Sequence, residues 1–375
     1  MDKVALGRRL TQARELAGMT QDSLARAVGL DRTAVTRLEK GERKLSVPEL
    51  VEIAEAVGRP LSYFVAPVVP AVVSRRSDAT THDSTQTLDV ELEQFADDLR
   101  MLMDMGLLHP AQRAADARTP RTHPEAERMA ERVRRQLDLG TQPISNLGDV
   151  CEKLGLYTYG ASLGRSGADG GCVEVVATSP ITRADIPAAG AAVVNGDAPT
   201  GRRRMTLAHE LGHWLTGDAY DAQSSGDNER MINSFAIHFV APRAGVADVW
   251  RQYDYWSTRD RALAVGAEYR LSWSATVGQL SNLNLIERGE FDALSQDEPR
   301  AGDYLRLGLS WPDDLAGPYL SPGFAAACIN AYASGQLTAD RALELLRGTL
   351  TEAGLPRQDR SGLEDLRRSF TGHDD

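Results

Sequence analysis

Apolar residues recur at helical spacing almost from the start of the chain. Leu6, Leu10, Ala13 and Leu16 share one face, and Gly18 ends that run. Thr20 offers an N-cap for a second helix reaching Val28, and Gly29 breaks it. Asp31 caps a third helix from Arg32 to about Lys40, which Gly41 stops. A fourth begins at Ser46, with Pro48 inside its first turn and Leu50, Ile53, Ala54 and Val57 as its buried face. The pattern predicts a small all-α domain over residues 1–65.

Residues 66–87 hold two prolines and then a run of Ser, Thr and Asp (SRRSDATTHDSTQT) with almost no apolar side chain, which reads as a linker. From Leu88 the apolar positions Leu92, Phe95, Leu99 and Leu102 fall on a heptad stripe within a helical connector over residues 88–123. Such a stripe suits either a helix lying on the next domain or a dimer coil. Residues 124–290 read as a mixed α+β domain. It opens with helices over 124–139 and 144–154, followed by strands at Leu156–Tyr159, Cys172–Thr178 and Ala191–Asn195. A helix pair at Asp260–Gly266 and Ser272–Asn282 has a helix-turn-helix rhythm, but its second helix lacks any Lys or Arg, so it is expected to pack within the domain. Residues 291–375 read as further helices, notably 324–333 and 339–352.

Length and charge sharpen this picture. With 375 residues, 42% hydrophobic and 25% charged, the chain suits several folded domains and excludes wholesale disorder. Its longest apolar stretch, Tyr63 to Val73, is half a membrane span and is broken by Pro67 and Pro70, so no membrane contact and a cytoplasmic location are expected. Three widely spaced cysteines match no disulfide framework. The net charge of −11 hides an asymmetry: residues 1–44 carry ten Lys/Arg against six Asp/Glu, a net +4, and the other 331 residues sum to −15. A basic head on an acidic body points to a polyanion at the head alone.

The candidate chemistry lies in Met205–Asp218 (MTLAHELGHWLTGD), which contains His209-Glu210-x-x-His213. Four residues make just over one helical turn, so both imidazoles project from one face toward a single metal ion, and Glu210 can serve as general base for a water there. Leu207, Leu211, Trp214 and Leu215 form the apolar stripe that would bury the same helix. Three protein ligands plus water is the catalytic zinc pattern. Glu229, with Asn233 one turn later, opens the next helical run and is the leading third ligand, with Asp218, Asp221 and Asp227 as alternatives. His238 is half a turn out of phase with Glu229. Tyr220 and His238 are weak candidates for an oxyanion partner. Cys172 suits a small buried hydrophobe better than a fourth ligand.

The runs RRRMTLAHELGHWL, then E-x-x-x-N-x-F-A ending at Pro242, then YRLSWSATVGQLSNLNLI together resemble the ImmA/IrrE family of bacterial and phage metallopeptidases, over about residues 124–290. The resemblance implies a zincin-like fold and a zinc-dependent peptidase, with manganese as the alternative ion. His209, His213 and Glu229 would be ligands and Glu210 the base, and the substrate would be a repressor-type protein, this chain included. Ile232 stands where that family often has Ala, which leaves the ligand assignment intact. The rival reading is a non-catalytic transcription factor whose peptidase-like domain senses a metal or ligand.

TQDSLARAVGLDRTAVTRLEKGERKLSVPELVEIAEAVG resembles the Xre/Cro type of helix-turn-helix domain. That implies a double-stranded DNA operator, with Gln21 near phosphate. Arg32, Thr33, Thr36 and Arg37 would lie toward base edges or phosphates, and Lys40, Arg43 and Lys44 on the backbone. Glu39 is expected to pair with a first-helix arginine. A homodimer through the Leu92–Leu102 stripe or the C-terminal helices would bring two such heads together, and cleavage in the linker would separate them.

Overall fold

The structure, a computed structural model, describes residues 3–59, 61, 64, 74–76, 82–111, 113, 118–178, 185–217 and 226–358. It divides into two compact units, residues 1–70 and 71–375. In the first unit, α1 (Lys3–Leu16), α2 (Gln21–Ala27), α3 (Arg32–Glu39) and α4 (Val47–Ala56) fall where the periodicity places them. Thr20 accepts from the Ser23 amide and Asp31 from the Ala34 amide, and Ser46 with Glu49 forms a reciprocal capping box. Leu10, Leu24, Val35, Ile53 and Phe64 close the core. Helices α1 and α3 approach so tightly that a Cβ at Gly7 would sit 2.3 Å from the Glu39 carbonyl oxygen.

The second unit is built on a mixed five-stranded sheet ordered β1-β3-β4-β2-β5, where β1 is Ser74–Arg76, β2 Leu156–Ala161, β3 Gly170–Thr178, β4 Asp185–Asn195 and β5 Tyr319–Leu320. Strands β3 and β4 form an antiparallel pair, β2 runs parallel to β4, and β1 and β5 close the two edges antiparallel. Side chains alternate between the faces of a strand. On β2, Tyr159 therefore meets Phe95 of α5 (His82–Asp104) on one face, while Leu156 joins the core around Trp214 of α8 (Thr200–Thr216) on the other.

The structure revises several expectations. The stretch over 66–87 is not wholly a linker: it contains β1 and the start of α5. The stripe Leu92, Phe95, Leu99 and Leu102 is fully buried within its own unit, with Phe95 5.1 Å from Phe324, so it is not available as a dimer coil. The strands are longer than predicted. Residues 291–375 are not helices alone, because β5 completes the sheet beside β2.

After α5 the chain adds α6 (His123–Gln136) and α7 (Leu147–Glu152) before β2, and after α8 it adds α9 (Gly226–Val240), α10 (Arg243–Gln252), α11 (Thr258–Tyr269), α12 (Trp273–Asn282), α13 (Arg288–Gln296), α14 (Ala301–Arg306), α15 (Pro322–Ala333) and α16 (Ala339–Leu345). The pair α11 and α12 packs into the core through Leu263, Val265, Trp273 and Val277, as its lack of cations on the second helix suggested. Arg134 of α6 donates to the carbonyls of Gly140 and Phe239, fixing the end of α9 against α6.

One buried ion pair ties the C-terminal segment to α8. Arg204 is fully buried, pairs with Asp314 and donates to the Ile144 carbonyl at 3.0 Å. Beside it, Arg203 reaches the Gly196, Ala198 and Asp314 carbonyls. Removing one partner of a buried pair strands the other charge, so Asp314→Ala is expected to destabilise the second unit by about 3 to 5 kcal/mol. The double variant Arg204→Met/Asp314→Leu is expected to recover much of that loss. Denaturant unfolding of the three proteins checks both.

Candidate metal centre and nucleic-acid interface

Helix α8 is buried along nearly its whole length and ends at Gly217, whose φ of 73° suits the left-handed C-cap. Its apolar stripe anchors it: Trp214 is buried in the core and donates to the Leu154 carbonyl at 2.8 Å. That leaves His209 and His213 on the face turned to α9, with their Nε2 atoms 3.0 Å apart. From α9, Glu229 brings one carboxylate oxygen to 3.3 Å from His209 Nε2 and the other to 3.4 Å from His213 Nε2. The three ligand atoms lie within 4.8 Å of one another. Tetrahedral zinc with ligand bonds of roughly 2.0–2.2 Å has ligand–ligand edges of about 3.3 Å, so these separations fit one ion.

Two further observations bear on the fit. Asn233 Oδ1 sits 3.1 Å from His209 Nδ1. If it accepts that proton, the Nε2 lone pair is turned toward the cluster. Glu210 is fully buried, and neither of its carboxylate oxygens has a partner of ordinary hydrogen-bond geometry. Burial pushes its pKa up, opposed by the neighbouring imidazoles and the Cys172 thiol. The Glu229 carboxyl is held well below the usual range, chiefly by its hydrogen bonds to His209 and then His213. Its side chain keeps 40% of its surface exposed, which opens the cluster on that side.

The helices pack closely here because Gly212, inside the HELGH run, has no side chain: a Cβ would meet Ile232 at 2.9 Å. Ile232 thus fills the space that Gly212 leaves. Of the alternative ligands, Asp227 is exposed and pairs with Arg230, and Asp218, Asp221 and Tyr220 lie outside the described residues. His238 is buried away from the cluster beside Gln279, and burial lowers its pKa. Cys172 is buried, its Sγ 3.7 Å from the Glu210 carbonyl oxygen, with its thiol pKa raised by burial. It is not part of the donor cluster. Asn233's place beside His209 was visible in the sequence only as a phase, not as a role.

In the first unit, Arg14 pairs with Glu39 at 2.6 Å, as expected. The Gln21 amide donates to Glu39 at 2.6 Å and accepts from the Thr36 hydroxyl at 3.1 Å, so both side chains brace α2 against α3. Arg32, Thr33, Arg37 and Lys40 are exposed on and just beyond α3. Among the described residues none of Arg32, Arg37 or Lys40 has an ion-pair partner, whereas Arg43 is engaged by Glu49 at 2.6 Å.

Comparison with known proteins places these two sites in context. A family model described as a helix-turn-helix matches residues 10–64, and one described as an IrrE N-terminal-like domain matches residues 183–281. The chain carries both modules. A transcriptional regulator from the ATPase CF(0) region of Rhodospirillum rubrum, itself uncharacterised, is 32% identical over 59 residues, which is 16% of this chain and 55% of the relative. The chain thus spans about half of that relative's length. Among solved structures, Bacillus thuringiensis PlcR with the peptide PapR7 and DNA aligns over 91% of each chain at 10% identity and a TM-score of 0.19. ComR from Streptococcus suis covers 92% of this chain and 87% of its own at 12% identity and a TM-score of 0.17. Overlap that slight carries no structural argument. No described helix is long and apolar enough to cross a membrane.

Glu229→Ala is expected to abolish stoichiometric zinc binding, and Asn233→Leu to weaken it by roughly 10- to 100-fold, the range for losing a partner that orients a ligating histidine. Competition with a chromophoric chelator measures both. In the first unit, the Ser46 backbone amide, followed by Arg43, holds the Glu49 carboxyl at about 2, down from 4.5. A depressed carboxylate contributes stability above its unfolded value, and that contribution disappears as pH falls through its folded value. The stability gap between the wild type and Glu49→Gln is therefore expected to be full above about pH 4.5 and to close toward pH 2, followed by chemical unfolding across that range.

Proposed function

We propose that the chain is a DNA-binding regulator whose second unit is a metal-dependent peptidase acting on a repressor-type protein, this chain included. The observation that carries the reading is the convergence of His209, His213 and Glu229 beside a buried carboxylate with no ordinary partner, Glu210. A bound zinc or manganese ion would supply a Lewis acid for a peptide carbonyl. Glu210 accepts a proton from the attacking water and returns it to the departing amine. The buried wall of α8 limits bulk water around that carboxylate, and the exposed side of Glu229 is where a chain enters. The exposed cations on α3, with the net +4 of residues 1–44, support operator binding through phosphates and base edges.

A second reading has its own support. His209, Glu210 and His213 are each at most 2% exposed, an enclosure that also suits an ion held to sense rather than to react. Incubating the zinc-loaded chain with helix-turn-helix proteins encoded beside its gene separates the two. Cleavage is expected from the wild type and not from Glu210→Gln, with zinc content equal in both. Zinc bound stoichiometrically by the wild type, without any cut in those proteins or in itself, would remove the peptidase reading and leave the sensor.

A further inference from the structure

A cleft of about 590 Å³ opens one turn along from the donor cluster. Its walls come from the same two helices. On α9, Asn233 and Ile237 follow Glu229 at intervals of four, so they continue its stripe; on α8, Met205 precedes His209 by four. The third wall is α12, through Gly278 and Gln279. Asn233, which lines the cleft, also touches His209, so the cleft abuts the donor cluster.

The lining is specific in its chemistry. Met205 and Ile237 give it an apolar floor, and Arg202, half exposed and paired with Asp169, stands at its rim. Gln279 is 1% exposed and donates from Nε2 to the Ala241 carbonyl at 3.0 Å. Only the NH₂ of an amide can make that bond, so the other atom is an acceptor, and Oε1 is buried with no hydrogen-bond partner among the described residues. Gly278, half-buried in mid-helix, would direct a Cβ into space with nothing within 4 Å. Together these features offer room and an apolar surface beside the donor cluster.

We infer that this cleft holds the segment of substrate polypeptide flanking the bond to be cut, with one apolar side chain on Met205 and Ile237 and the chain passing over the open face of Gly278. Extended peptide is the chemistry that suits such a lining, since it turns every second side chain to one wall and keeps a slim backbone between them. Arg202 faces the occupant's carbonyls at the rim. This inference rests on the peptidase reading and names the substrate class of that site.

The test separates the two. Random displayed peptides are selected against the zinc-loaded full chain carrying Glu210→Gln, and the selected peptides are expected to share one apolar position. Adding Gly278→Trp is expected to weaken their binding on the order of tenfold or more, with Gly278→Leu between, and zinc content unchanged. Gly289→Trp, at an exposed position on α13 with equally open space, is expected to leave binding as it was. Where the Trp variant loses zinc, Gly278→Leu carries the comparison. No shared apolar position, or equal binding by the Gly278 variants, overturns the cleft. The selected peptides are then offered to the chain with Glu210 intact. Binding that depends on Gly278 without any cutting removes the peptidase and keeps the cleft, and cutting unaffected by Gly278→Trp does the reverse.

Discussion

A helix surrounded by protein must find partners inside the protein for the charges it carries, and α8 carries five ionisable groups in eleven residues: Arg203, Arg204, His209, Glu210 and His213, all buried. An unpaired charge in such a place costs several kcal/mol, so much of the second unit is arranged to meet that demand. The arginines are answered by backbone carbonyls and by Asp313 and Asp314 at the helix's first half. The histidines are answered by Glu229 and Asn233 at its second half. Among these ionisable groups, Glu210 has both carboxylate oxygens buried without an ordinary partner. The same helix therefore both runs through the core and carries the candidate metal-binding histidines, and rigidity at one end holds the geometry at the other.

How much of this was legible follows from the range of the forces involved. The four helices of the first unit are set by local signals, and Thr20, Asp31, Ser46 and the glycines that end each run stand where the caps are found. The convergence of His209, His213 and Glu229 was legible for a related reason: His209 and His213 are one turn apart, and Glu229 is in phase with Asn233 on the next helix. What escaped were features decided by partners far along the chain. Strand β5 is two residues long and has no pattern of its own; it exists because β2 offers an open edge. Strand β4 extends back through Pro187, which reads as a strand breaker. Its pairing with β2 begins only at Gly190, so Pro187 lies where one side of the strand needs no amide donor, near the register shift opposite Val175 and Ala177. The start of α5 inside a Ser/Thr-rich run is likewise drawn by the burial of Leu88 and Leu92 downstream.

The heptad stripe on α5 shows how a pattern can be right about the face and silent about the partner. Leu92, Phe95, Leu99 and Leu102 are apolar for a helix packed on one side, and the sequence does not say on what. Charges on the remaining surface of α5 answer that question. Asp98 meets Arg341 at 2.8 Å and Arg347 at 2.7 Å, and Arg347 also lies over the Tyr159 ring. The helix is held to the end of its own chain, with the sheet beneath it. Likewise, the basic character of residues 1–44 is partly spent internally, on Arg14 with Glu39 and Arg43 with Glu49, so the cations left exposed on α3 are a selected subset of those a charge count reveals.

The pairing of Arg204 with Asp314 spans 110 positions of sequence. During synthesis the HELGH segment leaves the ribosome long before the aspartate that neutralises its neighbouring arginine, and before the strand that closes the sheet beside β2. Burying Arg204 before Asp314 is present would leave its charge without the carboxylate that neutralises it. Closing the core around α8 therefore draws on a residue 110 positions downstream, whereas the helices of the first unit are joined by short local turns within residues 1–70.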